Sequence, residues 1–282
     1  MKYSVFHHHI GEAARETGRT MDDMLAEVRS WGIRHVELDR DAVGADDGAI
    51  RALSAQLTRC GLAPSSIYGF YSWQDEGNVP AADDLLLRQA EMMHCPRVMI
   101  IPGFYTDVTD AEKCRNEKAR MISGMQQLAA MAAARGLTPT IECFDDVRSP
   151  IATIAGMAEF LDAVPELMVT LETGNFLFSG DDILEAQQRF AGRIAHVHLK
   201  DRFLPRLSPE VTPRGEKTVA ATGEVMYPCA VGSGHIPMQS VLTGLKQAGY
   251  DGILTIEHFG AVDWAETIRS SITWLLAKEA EL

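Results

Sequence analysis

Four motifs rich in carboxylate and imidazole groups stand in the second half of the 282-residue chain. They read I-E-C-F-D-D at Glu142, L-E-T-G-N at Glu172 and Asn175, H-V-H-L-K-D from His196 to Asp201, and T-I-E-H-F at Glu257 and His258. Each ends a short apolar run of the kind that forms a β-strand. Alternate residues of a strand face one way, so His196, His198 and Lys200 share a face. If the four runs are neighbours in a barrel, Glu142, Glu172, His198 and Glu257 converge at its mouth. Carboxylates gathered in a low-dielectric cavity repel one another unless a cation holds them. One divalent ion with O₃N ligation answers that need. Oxygen-rich sets suit Mn²⁺ or Mg²⁺, with Mn²⁺ expected first, and the imidazole also admits Co²⁺ or Zn²⁺. Such an ion stabilises the enediolate formed when a carbon next to a carbonyl loses its proton, and a glutamate can take that proton.

The elements that must position these groups alternate regularly. Strands are expected at 3–9, 34–38, 64–70, 97–102, 138–144, 168–173, 194–200 and 252–258. Runs such as V-M-I-I and I-L-T-I suit strands covered on both faces, as in a parallel sheet. Amphipathic stretches at 21–31, 47–60, 81–93, 111–135, 151–163, 181–190, 238–248 and 263–278 read as helices. Gly32, Gly61, Gly136 and Gly249 mark helix ends, while Thr20 and Ser149-Pro150 mark starts. Eight strand–helix units predict an α/β fold, a (β/α)₈ TIM barrel, as a single domain over 1–282. An open doubly wound sheet is the rival, but no Gly-rich dinucleotide fingerprint follows the first strand.

The step from the seventh to the eighth strand is long, so an insertion is expected at about 202–236, on the face where barrel active sites lie. Over 202–217 it carries Arg202, Arg206, Arg214 and Lys217 against Glu210 and Glu216, a local excess of positive charge. Either a cover for the substrate or a subunit contact fits its length and place, as does an inert loop.

Net charge excludes other classes. With 26 Lys+Arg against 39 Asp+Glu, the formal charge is −13, which argues against a general nucleic-acid binder. No run of about 18 apolar residues predicts a membrane span. The five cysteines are odd in number and never form C-x-x-C, so they read as reduced packing residues in a cytoplasmic protein. Among the remaining polar residues, His8 at the end of the first strand and Tyr68 after the third are expected to line the pocket. Lys200, Asp201 and Arg202 are expected at the substrate, with Asn175 able to donate and accept hydrogen bonds there. Glu37, in H-V-E-L, is a further candidate for the mouth.

Together the four motifs resemble the xylose-isomerase-like TIM barrels, specifically their sugar-phosphate isomerase/epimerase group. W-G-I-R-H-V-E-L around the second strand, V-G-S-G-H-I-P-M before the seventh helix and G-Y-D-G-I-L-T-I-E-H at the eighth strand extend the likeness over nearly the whole chain. The resemblance implies that Glu142, Glu172, His198 and Glu257 bind one metal, with Glu142 and Glu257 as acid and base on opposite sides of a sugar. Dimers and tetramers are common in that group, so the resemblance, rather than the sequence itself, admits a homo-oligomer. The sequence departs from the family pattern in three places. Glu172 stands where Asp is usual, Asn175 where ketose epimerases often carry histidine, and Leu204 where many carry arginine. The expected function is a metal-dependent sugar isomerase or epimerase. The alternative is a dehydratase of a cyclic polyol or oxo-sugar using the same site. An endonuclease IV-like enzyme would need further histidines on earlier strands, where this chain has Y-G-F and I-P-G-F. A non-catalytic sugar-binding protein is the remaining class.

Overall fold

The computed structural model describes residues 1–281. Its strands and helices, in chain order, start with β1 (Lys2–Phe6), α1 (His7–Thr17), α2 (Met21–Ser30) and β2 (His35–Asp39). They continue with α3 (Arg40–Val43), α4 (Asp47–Arg59), β3 (Ala63–Phe70), α5 (Leu85–Met92), β4 (Arg97–Ile101), α6 (Ala111–Ala134) and β5 (Thr138–Ile141). Next come α7 (Ile154–Ala163), β6 (Met168–Glu172), α8 (Phe176–Ser179), α9 (Ile183–Phe190) and β7 (Ile194–Leu199). The chain ends with β8 (Asp201–Phe203), β9 (Thr218–Val219), β10 (Val225–Cys229), α10 (Met238–Gln247), β11 (Ile253–Ile256) and α11 (Trp264–Glu279). Strands β1 to β7 and β11 close into a parallel barrel in the order β1-β11-β7-β6-β5-β4-β3-β2. This is the expected (β/α)₈ barrel. No helix among the described residues is long and apolar enough to cross a membrane.

Local chemistry explains where the helices begin. Thr20, Asp46, Asp84, Asp110, Thr153 and Asp182 each accept a backbone N–H of the first turn, removing one of the unpaired donors there. The cap of α7 is therefore Thr153, and Ser149-Pro150 lies in the loop before it. The first strand is shorter than expected. His7, His8 and His9 open α1, because Ile10, Ala13 and Ala14 fall at helical spacing and pack inward.

Parallel register sets the height of each side chain in the barrel. Glu172 pairs with His198 across β6 and β7, His198 with Thr255 across β7 and β11, and Phe6 with Glu37 across β1 and β2. Below this level the interior is polar and carries hydrogen bonds of its own. Ser4 meets Ser65 at 2.8 Å, Thr170 donates to Thr140 at 2.9 Å, and Arg97 reaches the carbonyls of Ser65 and Ala195 at 3.1 and 3.0 Å.

The insertion is ordered. β10 pairs antiparallel with both β8 and β9 to form a small sheet beside the mouth. Asp201 pins its far end, accepting backbone N–H groups from Arg202 (2.8 Å), Gly232 (2.9 Å), Gly234 (3.0 Å) and Ile236 (3.2 Å). A Cβ on Gly234 would lie 2.2 Å from Asp201 Oδ1, so only glycine lets that turn close on the carboxylate.

Candidate metal centre

The centre is built in two layers around His198. In the lower layer Glu37, fully enclosed on β2, offers one oxygen to two imidazoles. Its Oε2 lies 2.8 Å from His196 Nε2 and 3.0 Å from His198 Nε2, and accepts from Thr255 Oγ1 at 3.2 Å. Burial alone would raise the Glu37 pKa. The charges of His198 and His196 and their bonds outweigh it and hold the carboxyl well below the usual range. With Nε2 engaged by Glu37, His198 turns Nδ1 toward the mouth.

In the upper layer two carboxylates meet that nitrogen. His198 Nδ1 is 2.8 Å from Glu142 Oε2 and 3.1 Å from Glu257 Oε2, and all three side chains are almost wholly buried. Among the described residues, Glu142 Oε2 and His198 Nδ1 nevertheless have no hydrogen-bond partner. Two buried ligand atoms that approach without bonding are what a cation site requires. One atom from each of Glu142, His198 and Glu257 falls within 4.8 Å of the others. Two oxygens and one imidazole nitrogen, with no thiolate, fit a hard or borderline divalent ion and leave positions for substrate oxygens.

Electrostatics agree with that geometry. Burial raises the pKa of Glu142, and the charge of His198 only partly offsets it. For Glu257 the balance reverses. Burial would raise it, but Lys200 and His198 hold it below the usual carboxylate range. Lys200 Nζ sits 2.5 Å from Glu257 Oε1 and donates to Asn175 Oδ1 at 2.8 Å. Asn175 in turn donates to the carbonyl of Cys143 at 2.8 Å, tying β6 to the end of β5.

Glu172 departs from the expected set. Register places it beside His198, but its carboxylate curls back onto the chain. Oε1 accepts from Gly174 N at 3.0 Å, and Oε2 accepts from Asn175 N. The extra methylene of Glu permits this reach. The short helix α8 invites it, since Asn175 at its N-cap makes no side-chain cap bond. Burial pushes the Glu172 pKa up to about 8. The structure thus brings three of the four expected ligands together and leaves the fourth clamped on backbone amides.

Above the centre opens a cavity of about 540 Å³. His8, Tyr68, Asn175, Lys200 and Arg202 line it. Arg202 is held there by Asp145 at 2.5 Å, and Lys200 lies 3.9 Å from the same carboxylate. Asp201 is the exception. Its carboxylate is spent on the four amides of the insertion and faces away from this cavity, because alternation along the strand turns it opposite to Lys200. From the insertion, Glu216 and Thr218 reach the wall. Glu37 and His196 carry more of the centre than their sequence context signalled. The i, i+2 spacing of His196 and His198 was the available sign that one carboxylate could serve both.

A family model described as xylose isomerase-like TIM barrel matches residues 25–278. The chain belongs to that family. Among curated relatives, it is 24% identical to an inosose dehydratase of Clostridium perfringens over 159 residues, 54% of this chain and 51% of that protein. The chain spans about half the length of the curated relatives it matches. Among solved structures, D-psicose 3-epimerase from Clostridium cellulolyticum H10, determined with D-tagatose, superposes with a TM-score of 0.70 at 16% identity, covering 99% of both chains. An L-ribulose 3-epimerase gives a TM-score of 0.71 at 17% identity, covering 100% of this chain and 95% of that one. At such identities the structural likeness speaks for the barrel alone.

Proposed function

We propose that this protein is a divalent-metal-dependent sugar isomerase or epimerase that abstracts a proton from carbon next to a carbonyl. The observation that carries the reading is the meeting of Glu142 and Glu257 on His198 Nδ1, at 2.8 and 3.1 Å, beneath a cavity of sugar-holding size. Glu142, His198 and Glu257 would hold the ion, Mn²⁺ first among the candidates, with Glu172 joining if its carboxylate leaves the amides of Gly174 and Asn175. When bound, the ion supplies charge stabilisation for the two substrate oxygens that become the enediolate.

The chain's own residues do the rest. Glu142 Oε2, buried and without a hydrogen-bond partner among the described residues, is placed to take a proton from carbon. Glu257 is kept ionised by Lys200 and faces the same space from β11. Lys200, Asn175 and Arg202 fix the hydroxyl groups of the sugar, with His8 and Tyr68 at its flank. Return of a proton by the opposite carboxylate inverts the carbon, which is epimerisation. Return to the adjacent carbon moves the carbonyl, which is isomerisation.

A second reading uses the same groups for dehydration, with hydroxide leaving the carbon next to the deprotonated one. The inosose dehydratase relatives favour it. Incubation of manganese-loaded protein with a panel of ketoses and oxo-polyols in D₂O tests both. Deuterium next to the carbonyl supports proton abstraction, and the product's structure separates epimer, isomer and dehydrated species. No label in any member of the panel would remove the proposal.

A further inference from the structure

The cavity above the metal centre has two unlike halves. The polar half comes from the ends of β5, β6, β7 and β11. The other half is a continuous belt of rings running Phe259, Phe6, Tyr68, Phe70, Phe144, with successive centroids 5.3, 5.6, 6.2 and 5.8 Å apart. All five line the cavity. Phe104 stacks behind Phe70 at 6.4 Å and meets Phe144 edge-on at 5.2 Å, which stiffens that side.

The belt climbs from floor to rim. Phe6 and Tyr68 are 2% and 7% exposed, whereas Phe70 and Phe259 are 41% and 39% exposed. Phe70 lies two residues beyond Tyr68 on β3, about 7 Å further out along the strand, and Phe259 stands in the turn that follows β11, two residues beyond Glu257. A free sugar bound by Glu142, Lys200 and Glu257 would meet the floor rings Phe6 and Tyr68 first, with the exposed rings of Phe70 and Phe259 standing above them. Exposed aromatic rings that continue a ligand cavity mark surface kept for binding.

Charge narrows what the rim can take. The cations lining the cavity, Lys200 and Arg202, are paired with Glu257 and Asp145. In the insertion, Arg206 is turned to Glu224 at 3.0 Å and Arg214 to Asp263. Glu216 adds a carboxylate to the wall. The lysine and arginine cations of the lining thus already have carboxylate partners, and the rim rings offer flat apolar faces.

We infer that the rim rings Phe70 and Phe259 form an outer subsite for an uncharged ring or apolar group joined to the reacting sugar, so that the preferred substrate is a glycoside rather than a free or phosphorylated monosaccharide. This deepens the sugar-enzyme reading and rests on it for the word substrate, but the subsite can be tested by binding alone. Phenyl β-D-glucopyranoside, methyl β-D-glucopyranoside, glucose and glucose 6-phosphate lack the reactive ketone and probe affinity without turnover. Titration of the manganese-loaded protein by calorimetry should give phenyl glucoside about three- to tenfold tighter binding than methyl glucoside, and weaker or no binding of the phosphate. Phe70→Ala and Phe259→Ala, both at exposed positions, should erase the phenyl advantage while leaving methyl glucoside unchanged; Phe70→Tyr should keep it. Equal affinities for the two glycosides, a preference for the phosphate, or a phenyl advantage that survives both alanine variants would overturn the subsite. So would a dimer in light scattering that Phe70→Ala dissolves, since the rim would then be covered by a second copy. If the phenyl preference holds while no sugar exchanges deuterium, the subsite stands and the enzymatic reading fails.

Discussion

Glu37 Oε2 lies 3.0 Å from His198 Nε2, on the side of the imidazole away from Glu142 and Glu257. The bond fixes which ring nitrogen is free, and it aims that nitrogen at the mouth. Glu37→Gln keeps the volume but removes the charge that holds both Nε2 protons. Metal affinity should fall about 10–100-fold with the far-UV spectrum unchanged. Competition against a fluorescent chelator measures it; wild-type affinity in the variant would reduce Glu37 to packing.

Glu142→Gln and Glu257→Gln should each lower turnover by about 10²–10⁴-fold, the range of a lost general acid or base. Single-turnover kinetics at saturating manganese separates this from metal loss. Turnover within twofold of wild type in either variant would withdraw its catalytic role.

Manganese at 100 times its dissociation constant should stabilise the protein by about 2.7 kcal/mol, raising Tm by about 4–5 °C, and a chelator should reverse the shift. Glu172→Gln should shrink that shift if the carboxylate joins the ion. A full shift in this variant would leave Glu172 as the clamp on Gly174 and Asn175 and nothing more.

Acid should destabilise the fold through α1. Burial pushes the pKa of His7 down to about 4, with the neighbouring His8 adding to it, and pushes buried His9 well below 6.5. The unfolded chain, titrating near 6.5, then binds more protons than the folded one. Stability from this source is complete above pH 6.5 and is lost as pH falls toward 4. Thermal melts of chelator-treated protein should show Tm dropping by several degrees across that window. His9→Gln, whose amide oxygen can still accept the His258 N–H that His9 Nε2 accepts at 2.8 Å, should flatten the drop; an unchanged slope would place the cause elsewhere.

Asp201→Ala removes four charge-assisted bonds to the insertion and leaves their amides unmet. It should cost on the order of 3 kcal/mol and expose 204–217 to limited proteolysis. Its KM for substrate at permissive temperature should stay near wild type, which a direct substrate contact would not allow.

The chemistry of the late strands was legible because it is local. Glu142, His198 and Glu257 each end an apolar run, and strand alternation alone points them inward. What could not be read depends on contacts distant in sequence. Glu37 finds its partners 159 and 161 residues away. Asp201, next to pocket-lining Lys200, was expected at the substrate; the loop that captures it arrives 31 residues later. Glu172 has the reach to bind either an ion or its own backbone, and side-chain type does not choose between them. The histidines at 7–9 looked like a strand end because Phe6 precedes them. The helix they open is fixed by Ile10, Ala13 and Ala14 packing inward.

Because one oxygen of Glu37 joins β2 to β7, and Glu257 lies further still toward the C-terminus, the candidate cage spans most of the polypeptide. During synthesis Glu37 and Glu142 emerge long before the partners on β7 and β11 that complete either layer. A nascent chain therefore has no place to trap a cation until residue 257 has emerged and the last strand has closed the ring beside the first. On the proposed function, metal loading would be an event of the closed barrel, and starving cells of manganese should lower occupancy without lowering the yield of folded chains.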